Sequence, residues 1–76
     1  MTPKDKIISV VPTHDAPPAT TREISEAAVR RYGPISPGAR SEHDYAYGVL
    51  KELVDEGLVQ RHGAGKGPAI RWALKS

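Results

Sequence analysis

With 76 residues, the chain is shorter than a typical domain and is predicted to form one domain over residues 1–76. It contains no cysteine, and its three histidines lie too far apart to resemble a metal-ligand set, so disulfides, metals and cofactors are not expected. It contains neither a signal-peptide pattern nor a long apolar run, which predicts a cytoplasmic protein that does not span a membrane.

The net charge of +2 is small, but the charges are unevenly distributed along the chain. Residues 1–40 hold six basic and four acidic side chains, residues 41–57 hold one basic and five acidic, and residues 58–76 hold four basic and no acidic side chains. The three segments therefore carry +2, −4 and +4. The basic C-terminal segment suits contact with a polyanion, whereas the acidic middle segment opposes it.

The first predicted element is a helix over residues 2–11. Pro3 suits a first helical turn, and Ile7 and Val11 fall on one helical face. A strand is the competing interpretation, because four of the last five residues are β-branched and apolar. Residues 14–19 contain two prolines and no periodicity, which predicts an extended connector.

A second helix is predicted over about residues 21–32. Thr20 and Glu23 have the spacing of a capping box, in which the threonine hydroxyl accepts from the Glu23 amide and the carboxylate accepts from the Thr20 amide. Apolar side chains recur every four residues from Ile24, which indicates a buried face. The glycine–proline pair at 33–34 predicts the end of the helix.

A third helix is predicted to begin at Ser41 and to have Gly57 as its C-cap. At 100° per residue, it has an apolar core side and a polar outer side. The core side holds Ala46, Val49, Leu50, Leu53 and Gly57. The outer side holds Asp44, Gly48, Lys51 and Asp55. Leu58 is expected to re-enter the core as the first residue of the next strand.

The C-terminal segment is predicted to form a β-hairpin with strands at residues 58–61 and 69–74, joined by a glycine-rich tip. Ile70, Trp72 and Leu74 alternate with other residues, so one face of the hairpin is apolar and can close over the helices. Trp72 is therefore interpreted as a lid on the core rather than as a surface on which bases stack.

Two stretches of the sequence resemble the winged helix-turn-helix family. Residues 19–27, ATTREISEA, resemble its second-helix segment, and residues 49–59, VLKELVDEGLV, resemble its third helix running into the wing. The resemblance implies an α+β fold, a small winged helix-turn-helix with three helices plus a C-terminal two-stranded β-hairpin wing. It also implies that the third helix enters the major groove of DNA and that the wing lies along the backbone or minor groove.

Two features depart from this family pattern. The link between the second and third helices, residues 33–40, is longer than the usual turn of about three or four residues. The predicted recognition helix lies in the segment that carries −4, which repels phosphates, and Lys51 is its only basic residue.

The candidate DNA-binding residues are side chains that the predicted core does not need. The wing contributes Arg61, His62, Lys66 and Arg71, helix three and its start contribute Arg40, Ser41, Asp44, Tyr45, Tyr47, Gly48 and Lys51, and the start of helix two contributes Arg22. Asp44 can accept a hydrogen bond from cytosine. The two tyrosines can contact phosphate or a thymine methyl, but they can equally pack against helix one or a second protomer.

These residues predict a protein that binds double-stranded DNA, specifically or generally, as a small transcriptional regulator and as a homodimer. The alternative is a winged-helix module that docks on a protein partner through its acidic third helix. An enzyme is not expected, because the serines and histidines have no paired arrangement. The glycine-rich tip also fails the phosphate-binding loop pattern, which requires glycine where Gln60 stands.

Overall fold

A computed structural model, which describes residues 1–38, 40–63 and 70–75, shows a small α+β domain. Three helices and a three-stranded antiparallel sheet follow one another in the order α1-β1-α2-α3-β2-β3. Their bounds are α1 Pro3–Val10, β1 Ala19–Thr20, α2 Thr21–Tyr32, α3 Glu42–Asp55, β2 Val59–His62 and β3 Arg71–Leu74. The three predicted helices are confirmed, and the strand alternative for the first element is wrong. None of the described helices is long and apolar enough to cross a bilayer.

Capping boxes start the first two helices. The Thr2 hydroxyl accepts from the Asp5 amide at 3.1 Å, and the Asp5 carboxylate accepts from the Thr2 amide at 3.2 Å. Thr20 and Glu23 make the same two bonds at 3.2 and 2.9 Å, as predicted. Hydrogen bonds from the threonine backbone and hydroxyl favour the ionised carboxylates and lower the pKa of Asp5 and of Glu23.

The end of α3 explains the turn into the sheet. Gly57 follows the C-cap residue Glu56 and has a φ of 80°, which glycine adopts without steric cost. The amides of Gly57 and Leu58 donate to the carbonyls of Val54 and Leu53, each at 3.0 Å, which is a Schellman motif. The predicted burial of Leu58 is wrong: it is 48% exposed, because the motif turns it outward and makes Val59 the first buried strand residue.

The sheet has one more strand than the predicted hairpin. β2 and β3 pair antiparallel, and β1 pairs with the other side of β3, with Ala19 opposite Trp72 and Thr20 opposite Arg71. The predicted extended connector therefore ends in a short strand. Its pairing follows from the N-cap of α2, because Thr20 must be extended to cap the helix and so presents extended backbone to β3.

The helices and the sheet enclose one core, in which the predicted members Leu50, Leu53, Ile70 and Trp72 are each no more than 1% exposed. Trp72 confirms the lid interpretation, and its indole N–H donates to the hydroxyl of buried Thr21 at 2.7 Å. This bond ties β3 to the first turn of α2, so the sheet has a fixed position over the helices.

Candidate nucleic-acid interface

The outer side of α3 lies outside the core, as its sequence periodicity predicts. Asp44, Lys51 and Asp55 are exposed and Gly48 is half-buried. These four residues, called here the outer row, run along α3 from its first turn to its last. Since packing does not require them, their identities are open to another role.

Gly48 is at the centre of the outer row and is unusual for a helix interior. A Cβ atom built on it would meet no atom within 4 Å, and its φ is not positive. Neither space nor backbone conformation therefore requires glycine, although glycine costs about 1 kcal/mol relative to alanine at such a position. A surface hollow of about 240 Å³ lies beside it, lined by Arg40, Tyr45, Gly48, Val49 and Glu52.

Tyr45 and Tyr47 flank the outer row, and both pack partly against the core. The Tyr47 ring meets Trp72 edge to face, with centroids 5.9 Å apart and an interplanar angle of 72°. The Lys51 ammonium lies 5.6 Å from the Tyr47 ring centroid, within cation–π range. Tyr47 therefore contacts β3, and its ring also contacts Lys51, the one cation of the outer row.

Most of the acidic side chains in and beside α3 have partners within the fold. The Glu42 carboxylate accepts from the backbone amides of Ile35 and Ser36, at 3.0 and 3.1 Å, and so fastens the long link between α2 and α3. Lys4 of α1 pairs with Glu56 and lies 3.8 Å from Glu52. The hydrogen bond to Glu56 raises the pKa of Lys4 above its ordinary value.

Two predicted site residues at the start of α3 have different roles: Ser41 caps the helix, and Arg40 is an exposed cation. The Ser41 hydroxyl accepts from the Asp44 amide at 3.0 Å, so this predicted site residue serves as the N-cap. Arg40 is exposed just before it, and its carbonyl accepts from the Ser36 hydroxyl at 2.6 Å. Arg40 also lines the hollow beside Gly48.

The sheet places Arg61 next to the outer row. Arg61 pairs directly with Trp72, and directly paired residues project to the same face of a sheet. A cleft of about 140 Å³ lies between α3 and the sheet, lined by Lys51, Val54, Asp55, Arg61 and Trp72. Val54 and Trp72 were not among the predicted site residues, because their place in the cleft depends on the register of β2 against β3.

Two other predicted site residues, His62 and Arg71, do not join this surface. His62 and Arg71 pair with each other one residue beyond Arg61 and Trp72, so they lie on the opposite face of the sheet. Arg71 lies 3.8 Å from the carboxylate of Glu23 on α2. Lys66 is outside the described residues.

Arg22 also stays on α2. Its side chain is 80% exposed and its Nε lies 3.3 Å from the carboxylate of Glu26, one helical turn away. The structure thus gathers Arg40, Lys51 and Arg61 around the outer row of α3 and leaves Arg22, His62 and Arg71 elsewhere. No protein-family model matches the chain, and comparison with curated proteins and with solved structures finds no match either.

Proposed function

We propose that the chain is a winged helix that binds double-stranded DNA through the outer row of α3. In this proposal α3 lies in the major groove, and the hairpin of β2 and β3 is the wing that follows the phosphate backbone. The order of three helices and three strands supports it, as does the antiparallel sheet. The chain would then be a small transcriptional regulator of the cytoplasm rather than an enzyme.

The observation that carries the proposal is the distribution of charge around α3. Taken along the sequence, this segment is too acidic to approach phosphates. In the fold, the Glu42 carboxylate is directed to backbone amides of the link before α3, and Lys4 offsets the charge of Glu56. Arg61 from β2 adds a cation beside Lys51. By formal charge, Arg40, Lys51 and Arg61 offset the two carboxylates of the outer row, so this surface is less acidic than the −4 of the sequence segment.

Fluorescence anisotropy on a labelled duplex of arbitrary sequence tests the proposal across about 50 to 200 mM salt. Phosphate-driven binding gives a log affinity that falls linearly with log salt, by about 0.9 per phosphate contact. Lys51→Gln should weaken binding and reduce that slope by about one. Arg30→Gln, which removes one charge from an exposed site on α2, is the matched control and should leave the slope unchanged. No measurable binding, or equal slopes for both variants, would contradict the proposal.

The second candidate function is docking on a protein partner, through the same outer row. Asp44 and Asp55 are exposed at its two ends, and the Asp44 side chain is 70% exposed. Two carboxylates spaced along a helix suit a basic partner surface, whether on another protein or on a second copy of this chain. Binding to a partner protein in the absence of DNA, lost in the double variant Asp44→Asn with Asp55→Asn, would favour this function if the chain shows no affinity for duplex DNA.

A further inference from the structure

The three helices begin alike in sequence, but they use their first-turn acids differently. In α1 and α2 the acid three residues after the N-cap accepts from the N-cap amide, which completes the capping box. In α3 only half of the box is present: the Ser41 hydroxyl accepts from the Asp44 amide. Among the hydrogen bonds of the described residues, none joins the Asp44 carboxylate to the Ser41 amide.

The Asp44 carboxylate is instead directed to the surface. Its side chain is 70% exposed, and its Oδ1 lies 3.7 Å from Nδ1 of His43. Asp44 stands one helical turn before Gly48 on the outer row. The fold therefore leaves a carboxylate available beside a helical position without a side chain.

These two features fit together if α3 lies deep in the major groove. Aspartate has a short side chain, so its carboxylate reaches a base edge only where the helix backbone comes close to the bases. A side chain one turn further on would hold the helix away. At Gly48 a Cβ atom would meet nothing within 4 Å outside its own helix backbone, so no neighbouring group fills that space.

We propose that Asp44 accepts a hydrogen bond from the exocyclic amine of a cytosine, so that the chain prefers a G·C pair at that position. This inference rests on the proposed DNA binding. In the major groove, cytosine presents only a donor, its N4 amine. Adenine presents its N6 donor beside the N7 acceptor, and that acceptor repels a carboxylate. Guanine and thymine present only acceptors and a methyl group there. Among the four bases, cytosine therefore suits Asp44 best.

Selection of bound duplexes from a randomised library, followed by sequencing, tests this inference with three proteins: the parent, Asp44→Asn and Asp15→Asn. The parent should enrich cytosine at one position by about five- to tenfold, which is the discrimination expected from a single base contact. An asparagine side chain can pair with both N6 and N7 of adenine, so Asp44→Asn should shift that position from cytosine to adenine. Asp15→Asn removes the same charge from an exposed residue before β1, outside the outer row, and should keep the cytosine preference.

The outcomes separate the two proposals. If the parent binds DNA but Asp44→Asn selects the same bases, the base contact is wrong while DNA binding stands. If the parent retains no duplex at low salt, DNA binding itself is wrong. Since the Asp44 carboxylate makes no capping bond, both variants should keep the parent's circular dichroism spectrum. A helical spectrum lost in Asp44→Asn alone would show a structural role and would also overturn the inference.

Discussion

Replacing Gly48 by alanine should stabilise the fold and weaken binding at the same time. The added Cβ meets nothing within 4 Å, and the residue is helical with ordinary φ, so alanine introduces no clash and no strain. Alanine is favoured over glycine in a helix interior by about 0.8 to 1 kcal/mol. For a domain of this size that corresponds to a rise in melting temperature of about 4 to 8 °C. The same methyl group would stand between α3 and the duplex and lower the affinity.

Thermal unfolding followed by circular dichroism, with anisotropy on the same samples, measures both effects. Gly57→Ala is the matched control, since its Cβ also meets nothing within 4 Å but its φ is 80°. Backbone strain there should destabilise the protein by about 1 kcal/mol. A less stable Gly48→Ala variant would mean that the fold itself needs this glycine. A stabilised variant with unchanged affinity for DNA would remove Gly48 from the interface.

Three further predictions concern the core, the sheet and the capping boxes. Leu53→Ala empties a site that is 0% exposed and should cost about 2 to 5 kcal/mol by urea titration, and a variant as stable as the parent would refute the core. Arg61→Gln should weaken DNA binding and Arg71→Gln should not, since the two lie on opposite faces of the sheet; equal losses in anisotropy would contradict this. Because folding lowers the pKa of Asp5 and of Glu23, the unfolded chain binds more protons in acid. The stability that these two carboxylates contribute is therefore present above their ordinary pKa values of 3.8 and 4.5, and it is lost as the pH falls through the lower pKa values of the folded state. In the double variant Asp5→Asn with Glu23→Gln, the melting temperature should depend less on pH in that range.

The helices could be predicted from sequence because each depends on residues close together in the chain. The capping box of Thr20 and Glu23 and the helical spacing of Ile7 and Val11 are local signals, and both are confirmed. Strand β1 could not be predicted in this way. Two residues carry no periodicity, and Ala19 becomes a strand residue only because Trp72, far along the chain, lies beside it.

The candidate interface depended on the same distinction between local and distant contacts. The helical period alone was enough to place Asp44, Gly48 and Lys51 on one side of α3. The charge balance around them was not predictable, because it rests on contacts such as that of Lys4 with Glu56, which are 52 residues apart in sequence. A count of charges along the segment treats every carboxylate as available to a partner. In the fold, availability depends on which carboxylates already accept hydrogen bonds, and this is why Asp44 rather than Glu42 is the acid we expect to contact a base.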